Sequence, residues 1–397
     1  MRRLDLFAPT LAEARARIAA VQPSDYARTR NALDGAVTGL LPYITHGFVD
    51  LREVATGVAA GHRIEPQHRF MFELGWREFF RHVWQHRGDA IFTSTHPGAL
   101  PDEAYAREVP VDVREGRTRV PVIDSAVRTL YATGYVHNHA RMWLASYLVH
   151  LRRVHWRAGA DWLYAHLLDG DLASNHLSWQ WVAGTLGLKP YLFNADNVAR
   201  YAPALWHSPG SVIDTSYEAL EAIARGGRLP PVRPSGEGVE ESAVHRGPPS
   251  GMGALPADGA AVVDRDIWLV HPWGLREPPS TLPVGALQLS ICPAEFHATW
   301  AWSGARWAFV GARMGELSSL CWHDNATAIS AALRSARSVH SVDDAHLDTG
   351  LRALADTGPP RHLFAEVDRS CTSFSQWWKR ATAIDLATQA AAMKANP

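Results

Sequence analysis

The chain has 397 residues, 47% of them apolar, enough for two units of ordinary size that each bury a core. Its formal net charge of −1 provides no global basic field, so a nucleic-acid partner would need a local patch. Cys292, Cys321 and Cys371 stand far apart, which argues against a zinc ribbon or a disulfide framework. With no run of 18 apolar residues and no apolar leader, a soluble cytoplasmic protein is expected and a membrane partner is not.

From Leu11 to about Leu220 apolar residues recur at three and four spacing, as in Ala140 to Val154 and Trp162 to Leu168, which predicts helices and few strands. Residues 226–262, with Leu229-Pro-Pro-Val-Arg-Pro-Ser-Gly and Gly247-Pro-Pro-Ser-Gly, read as a linker, because Pro and Gly interrupt any regular element. Beyond it, apolar runs at Ile267–His271, Ala286–Ile291, Ser338–Val342 and His362–Val367 read as strands. They alternate with helical stretches at Ala305–Leu317, Ala326–Ala336 and Leu347–Ala355, the order of a small parallel α/β sheet. The expected architecture is therefore multidomain: an all-helical domain over 1–225, the linker, and a small α/β domain over 263–397.

The 16 tryptophans are the compositional outlier, and an aromatic core accounts for them on number alone. Their contexts say more. The stretch Val120-Pro-Val-Ile-Asp-Ser-Ala-Val-Arg-Thr-Leu-Tyr-Ala-Thr-Gly-Tyr-Val-His-Asn-His-Ala-Arg-Met-Trp is followed by Trp156-Arg-Ala-Gly-Ala-Asp-Trp. Leu168-Asp-Gly-Asp-Leu-Ala-Ser-Asn-His-Leu-Ser-Trp-Gln-Trp comes next. With Phe72-Glu-Leu-Gly-Trp-Arg-Glu-Phe-Phe-Arg-His and Thr38-Gly-Leu-Leu-Pro-Tyr before them, these blocks resemble the flavin-binding core of the DNA photolyase/cryptochrome family from Tyr26 to Tyr201.

The resemblance implies an all-helical domain that binds FAD, active in its reduced form, and light-driven repair of cyclobutane pyrimidine dimers in ultraviolet-damaged DNA by a monomeric carbon–carbon lyase. A blue-light photoreceptor signalling through a protein partner is the alternative within the family. Flavin contacts are implied for Tyr26, Thr38, Leu40, Leu41, Trp76, Arg77, Asn138, Arg141, Asp169, Asp171 and Asn175, the last facing flavin N5 with an amide rather than an acid. A structural ion pair between Arg141 and Asp169 would explain those two residues equally well. Trp179 and Trp156 match the first two members of an electron-transfer chain. Its third tryptophan is not recognisable, which leaves Tyr105, Trp84, Trp143 and Trp162 as terminal donors. Glu73, Trp76, Asn138, Met142 and Trp181 match the residues that wall and read the lesion. No metal is implied.

Two departures from the family stand out: His139 occupies a position usually held by arginine, and Leu41 one often held by serine. Between Arg114 and Arg157 eight arginines face two acids, a stripe that could steer DNA or form a solvated face. The family normally places a Rossmann-like antenna domain before the flavin domain. Here Ile267-Trp-Leu-Val-His-Pro-Trp-Gly, Ala286-Leu-Gln-Leu-Ser-Ile and Ser303-Gly-Ala-Arg-Trp resemble that domain moved to the C-terminal side. No Gly-rich phosphate loop supports a nucleotide there, so an antenna chromophore has no motif behind it.

Overall fold

The computed structural model describes residues 6–229, 231, 236–358 and 361–381. Part of the expected linker, residues 230 and 232–235, lies outside the described residues. The chain forms two compact units, and their division is not sequential. One comprises Val21–Thr38, His62–Ser242 and Phe364–Pro397; the other comprises Met1–Ala20, Gly39–Gly61 and Ala243–Leu363. Boundaries at 225 and 263 therefore do not describe the packing, because early helices join the α/β unit and the segment after 363 joins the helical one.

The helical unit is built around Arg69–Arg87, Pro121–Thr133, Asn138–Ser146, Trp156–His166 and Leu172–Ala183. Its core stacks Val122, Ile123, Leu130, Trp143, Leu144, Leu163 and Trp179, all essentially inaccessible. Local chemistry sets where these helices begin. His68, His137 and His155 each accept a hydrogen bond from the backbone N–H two residues on, an N-cap role that leaves each ring nitrogen used as an acceptor without its proton. Pro121 opens its helix at a position where the missing N–H costs nothing. Gly134 and Gly184, both at positive φ, end theirs. No described helix is long and apolar enough to cross a membrane.

In the α/β unit, β2 (Asp266–Val270), β3 (Leu287–Pro293), β5 (Leu320–Asp324) and β6 (Ser338–Ser341) form a parallel sheet in the order β5-β3-β2-β6. Short strands β1 (Val244–His245) and β4 (Trp302–Ser303) pair antiparallel beside it. Three of the four expected strands are present. His362–Val367 is not a strand: Phe364 and Val367 are apolar because they are buried, and Phe364 packs on Trp377 and Trp378. Strand β5 was not anticipated, since Leu-Cys-Trp-His-Asp shows no alternation. The segment from residue 236 onward is also no free linker, for Val239 N–H donates to Glu115 O and Glu241 pairs with Arg114.

Candidate functional site

Two buried carboxylates organise the centre of the helical unit. Asp169, 4% exposed, accepts from Arg141 Nη2 through both oxygens at 2.9 and 2.8 Å, while Arg141 Nε donates to Val136 O at 2.7 Å. Asp171 is the N-cap of Leu172–Ala183. One oxygen accepts from Ser174 N–H at 2.8 Å, and the other accepts from Arg81 at 2.6 Å and Arg77 at 3.3 Å. A carboxylate buried this deeply keeps its charge only with such partners. Arg81 was missed in the sequence, although Arg77 and Arg81 stand four residues apart on one helix face.

Asn175 Nδ2 donates to Ala160 O at 2.9 Å, tying Leu172–Ala183 to Trp156–His166 and leaving the amide oxygen as the half that can serve a ligand. On the same pair of helices, Trp179 lies flat on Gly159, where a Cβ would overlap its ring. Gly159 is one turn beyond Trp156, so the two indoles follow one helix face. Trp156, 2% exposed, donates from Nε1 to Ser94 Oγ at 2.9 Å.

Of the terminal-donor candidates, Tyr105 shares a cavity of about 10 Å³ with Trp156, His155 and Asp102. Trp162 donates to Glu241, Trp143 is sealed in the core and donates to Asn197, and Trp84 lies under the Arg81 guanidinium.

The residues matched to the lesion are mostly brought together. Glu73 pairs with Arg30 at 3.1 Å. The carbonyl of the next residue, Asn31, accepts from His139 Nδ1 at 2.9 Å, which leaves His139 Nε2 to accept from the Tyr191 hydroxyl at 3.4 Å. Tyr191 in turn lies beside Trp181, centroids 5.6 Å apart at 31°, and Trp181 is 43% exposed. Asn138 is exposed at the start of the Asn138–Ser146 helix and reaches Met142 Sδ at 3.8 Å. Glu73, Asn138, Met142 and Trp181 are thus linked through one chain of contacts and neighbours in sequence.

Trp76 is placed otherwise. One face of its ring is taken by Phe374, whose helix, Phe374–Ala381, packs on Arg69–Arg87. Nothing local in the sequence signals this contact, because stacking between rings so far apart along the chain leaves no pattern in either segment.

Tyr26 meets Phe70 edge to face at 5.6 Å, and burial, then the Glu73 charge, pushes its phenol up. Thr38 ends a segment of the helical unit, whereas Leu40 and Leu41 belong to the α/β unit, where Leu40 is buried.

The arginine stripe does not form a free basic face. Arg114 pairs with Glu241, Arg117 with Glu115, Arg141 with Asp169, Arg152 with Asp112 and Arg157 with Asp161. Arg128 and Arg153 donate to backbone carbonyls. Sequence showed the cations, but their acids lie up to 127 residues away.

The centre suits a polar cofactor. Beside Asp171, Ser174 Oγ is buried and makes no hydrogen bond among the described residues. Such an atom is costly to leave unsatisfied, and a bound group with donors and acceptors would relieve it.

Residues 70–219 match the family model of the FAD-binding domain of DNA photolyase. The deoxyribodipyrimidine photo-lyase of Streptomyces griseus is 33% identical over 228 residues, 51% of this chain and 47% of that protein. Cryptochrome-1 of Arabidopsis thaliana is 29% identical over 232 residues, 50% of this chain and 33% of that protein. Among solved structures, a Synechocystis cryptochrome aligns with a TM-score of 0.45 and 28% identity, over 50% of this chain and 44% of that one. The chain spans less than half the length of these relatives. Over residues 70–219 the chain is thus similar to the FAD-binding domain of the photolyase/cryptochrome family.

Proposed function

We propose that the helical unit holds FAD and that the protein repairs cyclobutane pyrimidine dimers in ultraviolet-damaged DNA, as a cytoplasmic monomer. Bound and reduced, FAD would supply a light-driven electron that the opened dimer returns, so splitting its two cyclobutane bonds would need no net oxidant or reductant.

This chain's residues do the positioning. Asp169 and Arg141 would hold the flavin's polar edge, Asp171 would be kept ionised beside it by Arg77 and Arg81, and the Asn175 amide would face N5 without a titratable proton. Trp181 offers an exposed apolar wall to an extruded dimer, while Glu73 and Asn138 supply directional groups. Trp179 and Trp156 would carry electrons to restore the reduced state.

The observation that carries the proposal is the chain of contacts from Glu73 through Arg30, Asn31, His139 and Tyr191 to the exposed Trp181, which supports one site shared by the lesion-matched residues. A second reading, a blue-light receptor, is favoured by Phe374 covering Trp76.

The order β5-β3-β2-β6, in chain order third, second, first and fourth, supports a Rossmann-like α/β unit displaced to the C-terminal side. An antenna pigment in its crevice is not part of the proposal. At the carboxyl ends of the strands Trp273 stacks on His346, centroids 4.8 Å apart at 4°, and lies parallel to His297, with all three rings buried.

The test is direct. Purified protein, chemically reduced and given near-ultraviolet light, should restore thymines in an oligonucleotide carrying a single dimer. Flavin bound in full with every dimer intact would hand the site to the receptor reading.

A further inference from the structure

The contacts that reach Trp181 do not end there. Tyr201 packs on His139, ring centroids 4.8 Å apart at 32°, and the helix that ends at Tyr201 contributes Asp196, Asn197 and Arg200 to a cavity of about 450 Å³ that no residue of the lesion set enters. Its walls include Asp196, Asn197, Arg200, Tyr217 and Glu218. Tyr217 presents a ring that is 45% exposed. Beside it in the wall, Asn197 is held in place, its Oδ1 accepting from the buried Trp143 indole at 3.0 Å. An exposed aromatic face on the rim of a cavity is a stacking platform, since every nucleobase has a face to offer it.

The polar walls narrow the occupant. Asp196 and Glu218 bring two carboxylates against the single guanidinium of Arg200, and among the described residues none of the three is in an ion pair. Two carboxylates repel a phosphate, so a nucleotide would enter base first with its backbone outside. Carboxylates accept hydrogen bonds and give none; cytosine, adenine and guanine carry exocyclic amines that donate, whereas thymine carries carbonyls at the matching edge. The volume suits one nucleoside.

We propose that this cavity is a subsite for the nucleobase adjoining the lesion, and that it takes amine-bearing bases in preference to thymine. The inference rests on the repair reading for the identity of the strand, but the cavity's base preference can be measured without a lesion.

Fluorescence anisotropy with the full chain would compare a bare dimer dinucleotide, the dimer flanked by dC or by dT, and undamaged single-stranded dC and dT tetranucleotides. Wild type should hold the dC-flanked dimer about tenfold tighter than the dT-flanked one. Tyr217→Ala should abolish that ratio without changing the affinity for the bare dimer. Glu218→Gln, which keeps the side chain's shape and removes its charge, should reduce the ratio, whereas Trp181→Ala should weaken dimer binding and leave the ratio standing. Equal affinity for the two flanks, or a preference that survives Tyr217→Ala, overturns the subsite even if dimers bind. A Tyr217-dependent preference for dC on undamaged strands, with no discrimination in favour of dimers, upholds the subsite and removes the repair reading.

Discussion

Trp76 and Phe374 stack face to face, ring centroids 4.1 Å apart and planes 11° from parallel. Phe374 is joined there by Phe72 at 4.6 Å and Phe79 at 5.7 Å, and it is 5% exposed. The contact anchors the 364–381 segment to the Arg69–Arg87 helix, so Trp76 acts first as a packing residue. Trp76→Ala should lower unfolding stability by ~3 kcal/mol, as large aromatic truncations in cores do, and should leave affinity for a dimer-containing strand within about twofold once folded protein is counted. Denaturant melts read beside anisotropy separate the two effects; a tenfold affinity loss at unchanged stability would restore Trp76 to the lesion wall.

Gly75, on the same helix, meets the other end of that segment. A Cβ there would sit 2.5 Å from Trp378 Cζ3 and 3.4 Å from Trp377 Cζ3. Both indoles are buried, so neither can swing clear. Gly75→Ala should cost ~1–3 kcal/mol despite the better helix propensity of alanine, seen as a lower urea midpoint with an unchanged slope. A neutral or stabilising result would mean that the indoles are not packed as described.

Much of the centre was legible because its chemistry is local. Asp171 caps the helix it precedes, and Asn175 follows one turn on. Arg141 and Asp169 are opposite charges in apolar surroundings, which fixes their pairing once both are buried. What escaped the sequence is non-local. The partners of Arg114 and Arg152 lie far along the chain, so a run of cations looked like a free face. Phe374, Trp377 and Trp378 lie almost 300 residues from the helix they cover, and β5 is a short strand whose neighbour, rather than its pattern, defines it. The division of the chain into units could not be read either, since the Leu11–Ala20 helix gives no sign of which core it joins.

The two carboxylates should respond differently to losing an arginine. Asp169 takes two hydrogen bonds from Arg141 and its side chain is 1% exposed, so Arg141→Gln removes both from a buried carboxylate and should cost ~3 kcal/mol or more. Asp171 keeps Arg81 at 2.6 Å when Arg77 is lost, so Arg77→Gln should cost only ~1 kcal/mol. Urea titrations of the two variants at pH 7 test the ranking, and equal costs would mean that Arg77 rather than Arg81 holds Asp171.

Acid should act through histidines before it reaches the carboxylates. Burial lowers His137 to about 4, helped by the charges of His139 and Arg141 and opposed by a backbone hydrogen bond with Arg30; burial likewise lowers His82 and His150 to about 4. For each, the unfolded chain takes up its proton near pH 6.5 while the folded protein resists until about 4. Their neutral forms therefore contribute fully above pH 6.5, and that stability drains away as pH falls through the window from 6.5 to 4. His137→Asn isolates one of them, because asparagine caps a helix as well as the ring does and does not titrate. Its unfolding free energy should fall less steeply with acid across that window, by close to one proton's worth of slope, and should run parallel to wild type above pH 7. A slope equal to wild type throughout would show that His137 is already charged in the folded protein.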